Sequence, residues 1–157
     1  MTETVRDAEY FIDKFISVYT DNLNTKIAEI NTAKGDSLLD SVDSNAYYYL
    51  TFGQKVPAYE PAVVFGVGVE LGGNIRAGAN ETLILAATMV ISSKGEASSL
   101  NVMRRIQRYR RALIEVITDN YEKFPSMEFD VVPEIGFTEA SRFYYALGIV
   151  AKTTYPT

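Results

Sequence analysis

Five arginines fall within eight positions, Arg104, Arg105, Arg108, Arg110 and Arg111, in a stretch that reads RRIQRYRR. Guanidinium groups at that density can grip phosphates or pair with carboxylates, because the planar fork offers two parallel donors to either anion. The rest of the chain argues against nucleic acid as the target. Its 15 basic side chains are outnumbered by 20 acidic ones, for a formal net charge of −5, whereas a protein that coats DNA carries a basic footprint across its domain. A protein partner presenting acids, such as another copy of this acidic chain, fits the cluster better. The plainer alternative is a solvated helix face.

Other groups with chemical potential are sparse. Histidine and cysteine are both absent, which removes imidazole acid–base catalysis, thiol nucleophiles and the usual zinc ligands. Asp36, Asp40 and Asp43 lie close together in sequence but lack the alternate spacing and turn glycine of a calcium loop. The stretch GVGVELGG has the wrong spacing for a dinucleotide loop and sits in a strand that leads to a hairpin, not a helix. Glu128 and Asp130 share one face of a strand and could in principle exchange protons, with nothing convergent around them. The expectation is a protein that is not an enzyme, with no catalytic residue, cofactor or metal.

These residues must be held by a scaffold, and the hydrophobic pattern supplies one. A chain of 157 residues suits a single domain, 1–157. Val5, Ala8, Ile12, Phe15, Tyr19, Leu23, Ile27 and Ile30 recur at helical spacing, predicting a long amphipathic helix within 1–34, capped by Thr2 or Thr4 and stopped at Gly35. Residues 35–61 form an irregular segment that includes a short strand or an ordered loop around Tyr47, Tyr48 and Tyr49. Residues 62–153 hold sheet plus helix. Strict alternation marks AVVFGVGVEL and ETLILAATMVISS, joined by the loop GGNIRAGAN, and later SMEFDVV and RFYYALGIVAK, joined by PEIGFTEAS. Between the strand pairs runs a helix over about 96–121. On it Val102, Ile106, Tyr109, Leu113, Val116 and Ile117 project to one side, and Arg104, Arg108 and Arg111 to the other, with Glu115 continuing their stripe and Arg105 and Arg110 flanking the apolar face.

The resulting expectation is an α+β fold: a mostly antiparallel sheet of four or slightly more strands, with a long N-terminal helix and a second helix between strand pairs. One sheet face is large and apolar. The other carries Gly66, Gly68, Ala86, Thr88, Ala146 and Gly148, small enough for a helix of the same chain or a neighbouring subunit to approach closely. The N-terminus lacks the pattern of a signal peptide and no apolar run reaches membrane-spanning length, so a soluble chain that stays in the cytoplasm, without a membrane partner, is expected.

The long first helix, the proline-flanked strand entry VPAYEPAVVFGVGVEL, the strand ETLILAATMVISSKGE, the helix stretch RYRRALIEVITDN and the last strand SRFYYALGIVAKT together resemble the tail terminator, or tail completion, proteins of long-tailed bacteriophages, including the neck proteins of contractile-tailed ones. The pattern covers roughly residues 56–153. The resemblance implies a structural virion protein, assembled in the host cytoplasm. It would form a homo-oligomeric ring, usually a hexamer, that caps the tail tube and joins it to the head. Its partners would be the tail tube protein, with the tail sheath and head–tail connector proteins as further candidates. DNA would pass through the ring without specific binding. Subunit contacts are then expected at Arg104, Arg105, Arg108 and Arg111, at Gly66 and Gly68 on the sheet, and at Arg76 in the hairpin loop. A head-closure or adaptor protein would follow the same ring logic, and a small ligand- or nucleic-acid-binding regulatory domain is the alternative from another class.

Overall fold

A computed structural model describes residues 7–49, 60–74, 78–93, 100–124, 127–139 and 142–156. The chain runs α1 (Ala8–Lys34), β1 (Tyr47–Tyr49), β2 (Ala62–Asn74), β3 (Gly78–Ser92), α2 (Leu100–Asp119), a single 3-10 turn (Tyr121–Lys123), β4 (Glu128–Glu139) and β5 (Arg142–Pro156). The fold is α+β, with a five-stranded sheet in the order β1-β2-β3-β5-β4. Every neighbouring pair is antiparallel except β1 with β2.

The first helix starts later than its apolar spacing suggests. Its cap is Asp7, whose carboxylate accepts from the Tyr10 N–H at 3.0 Å; Thr2 and Thr4 lie outside the described residues. A carboxylate at this position satisfies a free backbone donor and complements the positive end of the helix dipole. At the other end Gly35 takes the left-handed conformation, φ 70°, with its N–H on Thr32 O and the Asp36 N–H on Asn31 O. That paired closure is the glycine stop that the sequence signals. It turns the chain back along the helix, where Asn31 and Asn24 bind the backbone of Leu39 and Val42 through both ends of their amides. Leu39, Val42 and Ala46 are buried as a result, so the irregular segment up to β1 is packed structure.

Both helices lie on one face of the sheet. That face presents Val63 and Phe65 from β2, Leu83, Leu85, Ala87, Met89 and Ile91 from β3, and Leu147, Ile149 and Ala151 from β5, all buried. Their registers agree with the alternation in the sequence: Phe65 lies opposite Ala87, and Ala87 opposite Ile149. Tyr19 crosses the helical layer, donating its hydroxyl to Leu113 O at 2.8 Å, and burial pushes that phenol well above its ordinary pKa. At the layer's surface Lys26 sits among Asp119 at 2.5 Å, Glu29 at 2.8 Å and Glu115 at 3.9 Å. The Asp119 and Glu29 hydrogen bonds raise its pKa.

Two connections differ from the sequence expectation. Strands β2 and β3 extend to Asn74 and Gly78, which leaves only residues 75–77 between them, outside the described set. The stretch Pro133 to Glu139, expected as a loop, belongs to β4. A register shift between Val132 and Ile135 absorbs Pro133. Proline cannot donate to a ladder and is tolerated in a strand at an edge or a bulge; β4 is at the edge and has the bulge.

Candidate functional site

The exposed surface of α2 is where the arginine cluster resolves into separate roles. The predicted apolar face is correct: Val102, Ile106, Tyr109, Leu113, Val116 and Ile117 are all buried. Tyr109 reaches past the core to the 36–46 segment, accepting from Asp40 N at 2.8 Å and donating to Asp40 O at 3.1 Å. Its phenol pKa is pushed up to about 12, chiefly by burial.

Arg105 does not belong to an outward ridge. It is only 4% exposed and donates from its Nη1 to Ser92 O at 2.9 Å, while its Nε is buried without a hydrogen-bond partner. Its position flanking the apolar stripe lets the long side chain fold inward beneath the helix end, where the end of β3 supplies a carbonyl. Arg105 is therefore a tie between α2 and the sheet, and the expectation of a subunit contact there is corrected. Arg110, on the other flank, is joined to Glu134 in the β4 bulge. The Glu134 carboxyl is held below its ordinary range first by its own backbone N–H and then by Arg110.

Arg108 faces outward from the core but is also engaged within the chain. Its Nη1 lies 2.8 Å from both oxygens of Asp36, a residue aimed at α2 by the glycine stop after α1. The Arg108 hydrogen bond is the main cause of a lowered Asp36 pKa, with the Leu38 N–H second. The stabilisation that this lowering brings is fully present above the unfolded carboxylate value, about 3.9, and is lost as pH falls through the lower folded one. We expect carboxyl NMR to place the Asp36 midpoint below the ordinary aspartate range, and Arg108→Ala to move it upward. An unchanged midpoint in the variant would show that the pair does not exist in solution.

Arg111 pairs along the helix with Glu115 at 2.7 Å yet leaves 53% of its side chain exposed. Arg104 is exposed and makes no ion pair among the described residues. Together with Lys34, Met103 and Gln107, these arginines line a shallow groove of about 370 Å³ where the end of α1 meets α2. The ridge is thus real at Arg104, Arg108 and Arg111, with Arg108 partly neutralised.

The sequence reading missed the apolar residues on this surface. Leu100 is 57% exposed and Met103 64%, one turn apart at the start of α2. At its far end Ile114, Ile117, Thr118 and Tyr121 line a second groove of about 450 Å³ with Phe129, Asp130, Val131 and Ile149. The signal was available: Leu100 and Met103 fall outside the 102-106-109-113 stripe, and an apolar residue off the stripe is one that the subunit's own core does not use.

On the sheet, Gly66 is half-buried and Gly68 exposed. Among the described residues no helix covers their face, because α1 and α2 both pack on the opposite one. A methyl group at Gly66 would touch Ala86 Cβ at 3.9 Å and one at Gly68 would touch Ile84 Cβ at 4.0 Å, both ordinary contacts. Among the described residues nothing therefore requires glycine at either position. Arg76 lies outside the described residues.

The carboxylates noted in the sequence remain dispersed. Asp36 is paired with Arg108, Asp43 caps its own turn through Asn45 N at 2.8 Å, and Glu128 stands opposite Lys152 across the strands. Among the described residues no three acidic side chains converge as metal ligands, and no helix is long and apolar enough to cross a membrane. Compared in sequence with models of known protein families and with characterised proteins, the chain matches none.

Proposed function

We propose that this chain is a structural subunit of a long-tailed bacteriophage, a tail terminator that closes into a ring on the end of the tail tube, halts its growth and offers the joint to the head. The observation that carries the reading is the outer surface of α2. On a chain of net charge −5, Arg104 and Arg111 stand exposed beside Lys34 and the bare side chains of Leu100 and Met103. Cations bordering exposed apolar residues make a protein-docking surface, since an interface combines an apolar centre with a polar rim. The groove between the far end of α2 and β4 offers a second surface, and a head-to-tail ring needs two different patches on each subunit. The family resemblance supplies the tail-tube end as the place of assembly and a hexamer as the ring.

An acidic chain suits a ring traversed by DNA, because a lumen that repels phosphate lets the duplex slide. A head-closure or adaptor protein of the connector shares these surfaces and differs in its partner. Native mass across a concentration series, electron microscopy of any large species and addition of purified tail tubes test the reading. A closed ring that caps tubes is the expected result. A ring that binds the portal side and leaves tubes uncapped would assign the chain to the connector. Steeply salt-dependent retention on immobilised DNA, by a chain that never forms rings, would point instead to a nucleic-acid-binding regulator.

A further inference from the structure

Among the described residues, five of the eight exposed large apolar side chains lie at the two ends of α2, with Tyr49, Val69 and Ile135 elsewhere on the sheet. Leu100 and Met103 project from the first turn of α2, at 57% and 64% exposure, and Arg104 follows them. At the other end of the same helix, Ile114 at 37%, Tyr121 at 61% and Val131 at 47% exposure line a concave groove of about 450 Å³. One group forms a knob and the other a hollow. Met103 and Thr118, which lines the hollow, are separated by about 22 Å at the helical rise of 1.5 Å per residue. A subunit cannot seat its own knob in its own groove.

The charges at the two ends are also opposite. Arg104 borders the knob, with Lys34 lining the groove beside it. Asp130 lines the hollow, and the exposed Glu122 and Glu128 adjoin its lining residues Tyr121 and Phe129 in sequence. Lys152 stands across the strands from Glu128, and of the three acids Asp130 alone lines the hollow itself, which makes it the one best placed to meet Arg104.

We propose that the occupant of the α2–β4 groove is a second copy of this chain, whose Leu100 and Met103 enter it while its Arg104 pairs with Asp130. This inference rests on the ring reading above and specifies its joint: knob to groove, repeated head to tail, with no two-fold axis. Each junction buries apolar side chains that water otherwise meets and brings unlike charges together at the rim, the arrangement in which central apolar anchors carry most of the affinity. A heterologous contact of this kind closes into a ring when the rotation per step divides the circle.

The absence of native cysteine permits a direct test with Met103→Cys and Val131→Cys, both at exposed positions that the fold does not bury. Treated with a short bis-maleimide under conditions where the wild type assembles, the doubly substituted chain should give a ladder of linked species up to the closed ring. The two single variants mixed should stop at dimers, and each alone should give none. Met103→Asp should weaken assembly about tenfold or more with an unchanged thermal midpoint. Self-linking by Met103→Cys alone, or wild-type rings whose doubly substituted counterparts give no ladder, would overturn the joint while leaving the ring. A wild-type chain that stays monomeric even with tail tubes would overturn the ring reading and the joint together.

Discussion

Phe65→Ala should lower the stability of the isolated subunit by about 3–5 kcal/mol, the range for truncating a buried aromatic. Phe65 is 4% exposed on the helix-covered face of β2. Four rings surround it, those of Phe15 at 6.1 Å, Tyr19 at 6.2 Å, Tyr47 at 6.1 Å and Tyr49 at 5.8 Å between centroids. The first two belong to α1 and the others to β1, so this side chain joins the N-terminal helix and the short parallel strand to the main sheet. A three-residue strand has too few ladder bonds to hold itself in place; the stacked rings do that work. Urea unfolding should show the midpoint falling sharply with little change in slope. A loss below about 1 kcal/mol would mean that the site collapses around the cavity, against the usual partial relaxation of a packed core.

Gly148→Ala should cost about 1–3 kcal/mol, an overpacking effect in a strand interior. A Cβ built on Gly148 would lie 2.6 Å from Ala87 O and 3.2 Å from both Cα and Oγ1 of Thr88. The obstacle is backbone of β3, a central strand paired on both sides, so it has little room to move. Gly66→Ala is the matched control. Among the described residues its added methyl meets only Ala86 Cβ, at ordinary distance, and replacing a strand glycine by alanine there should stabilise by about 0.5–1 kcal/mol through reduced chain entropy. Thermal unfolding of the two variants should shift in opposite directions. If both shift downward alike, the close approach at Gly148 is not what fixes glycine in this strand.

Local periodicity made most of the scaffold legible. The alternating strands, the apolar stripe of the second helix and the glycine stop at Gly35 each follow from which side chains must be covered, and each holds. What escaped depends on neighbours distant in sequence. Asp7 serves as the cap where threonines nearer the terminus fit the helical spacing equally well. Pro133 reads as a loop residue until β4 is known to be an edge strand with a bulge. Arg105 and Arg108 are chemically identical and three positions apart, yet one is drawn inward by the carbonyl of Ser92 and the other outward by the carboxylate of Asp36. Helical projection placed Arg105 beside the core but could not say whether the guanidinium would bend inward or outward. Leu100 and Met103 required the opposite inference, that an apolar residue lying off the buried stripe is left uncovered by the chain's own core.

The bulge at Val132 and Ile135 bears on how free copies of this chain behave when they are crowded together. A long, regular outer strand is a template on which any other chain can add, and copies at high concentration would be drawn into fibres by it. With Pro133 withholding a donor and the register broken beside it, β4 is a poor template. At that edge association is left to side chains, whose shapes and charges admit few partners. The same irregularity that hid the strand from a sequence reading would keep free copies of this chain from disordered aggregation along that edge.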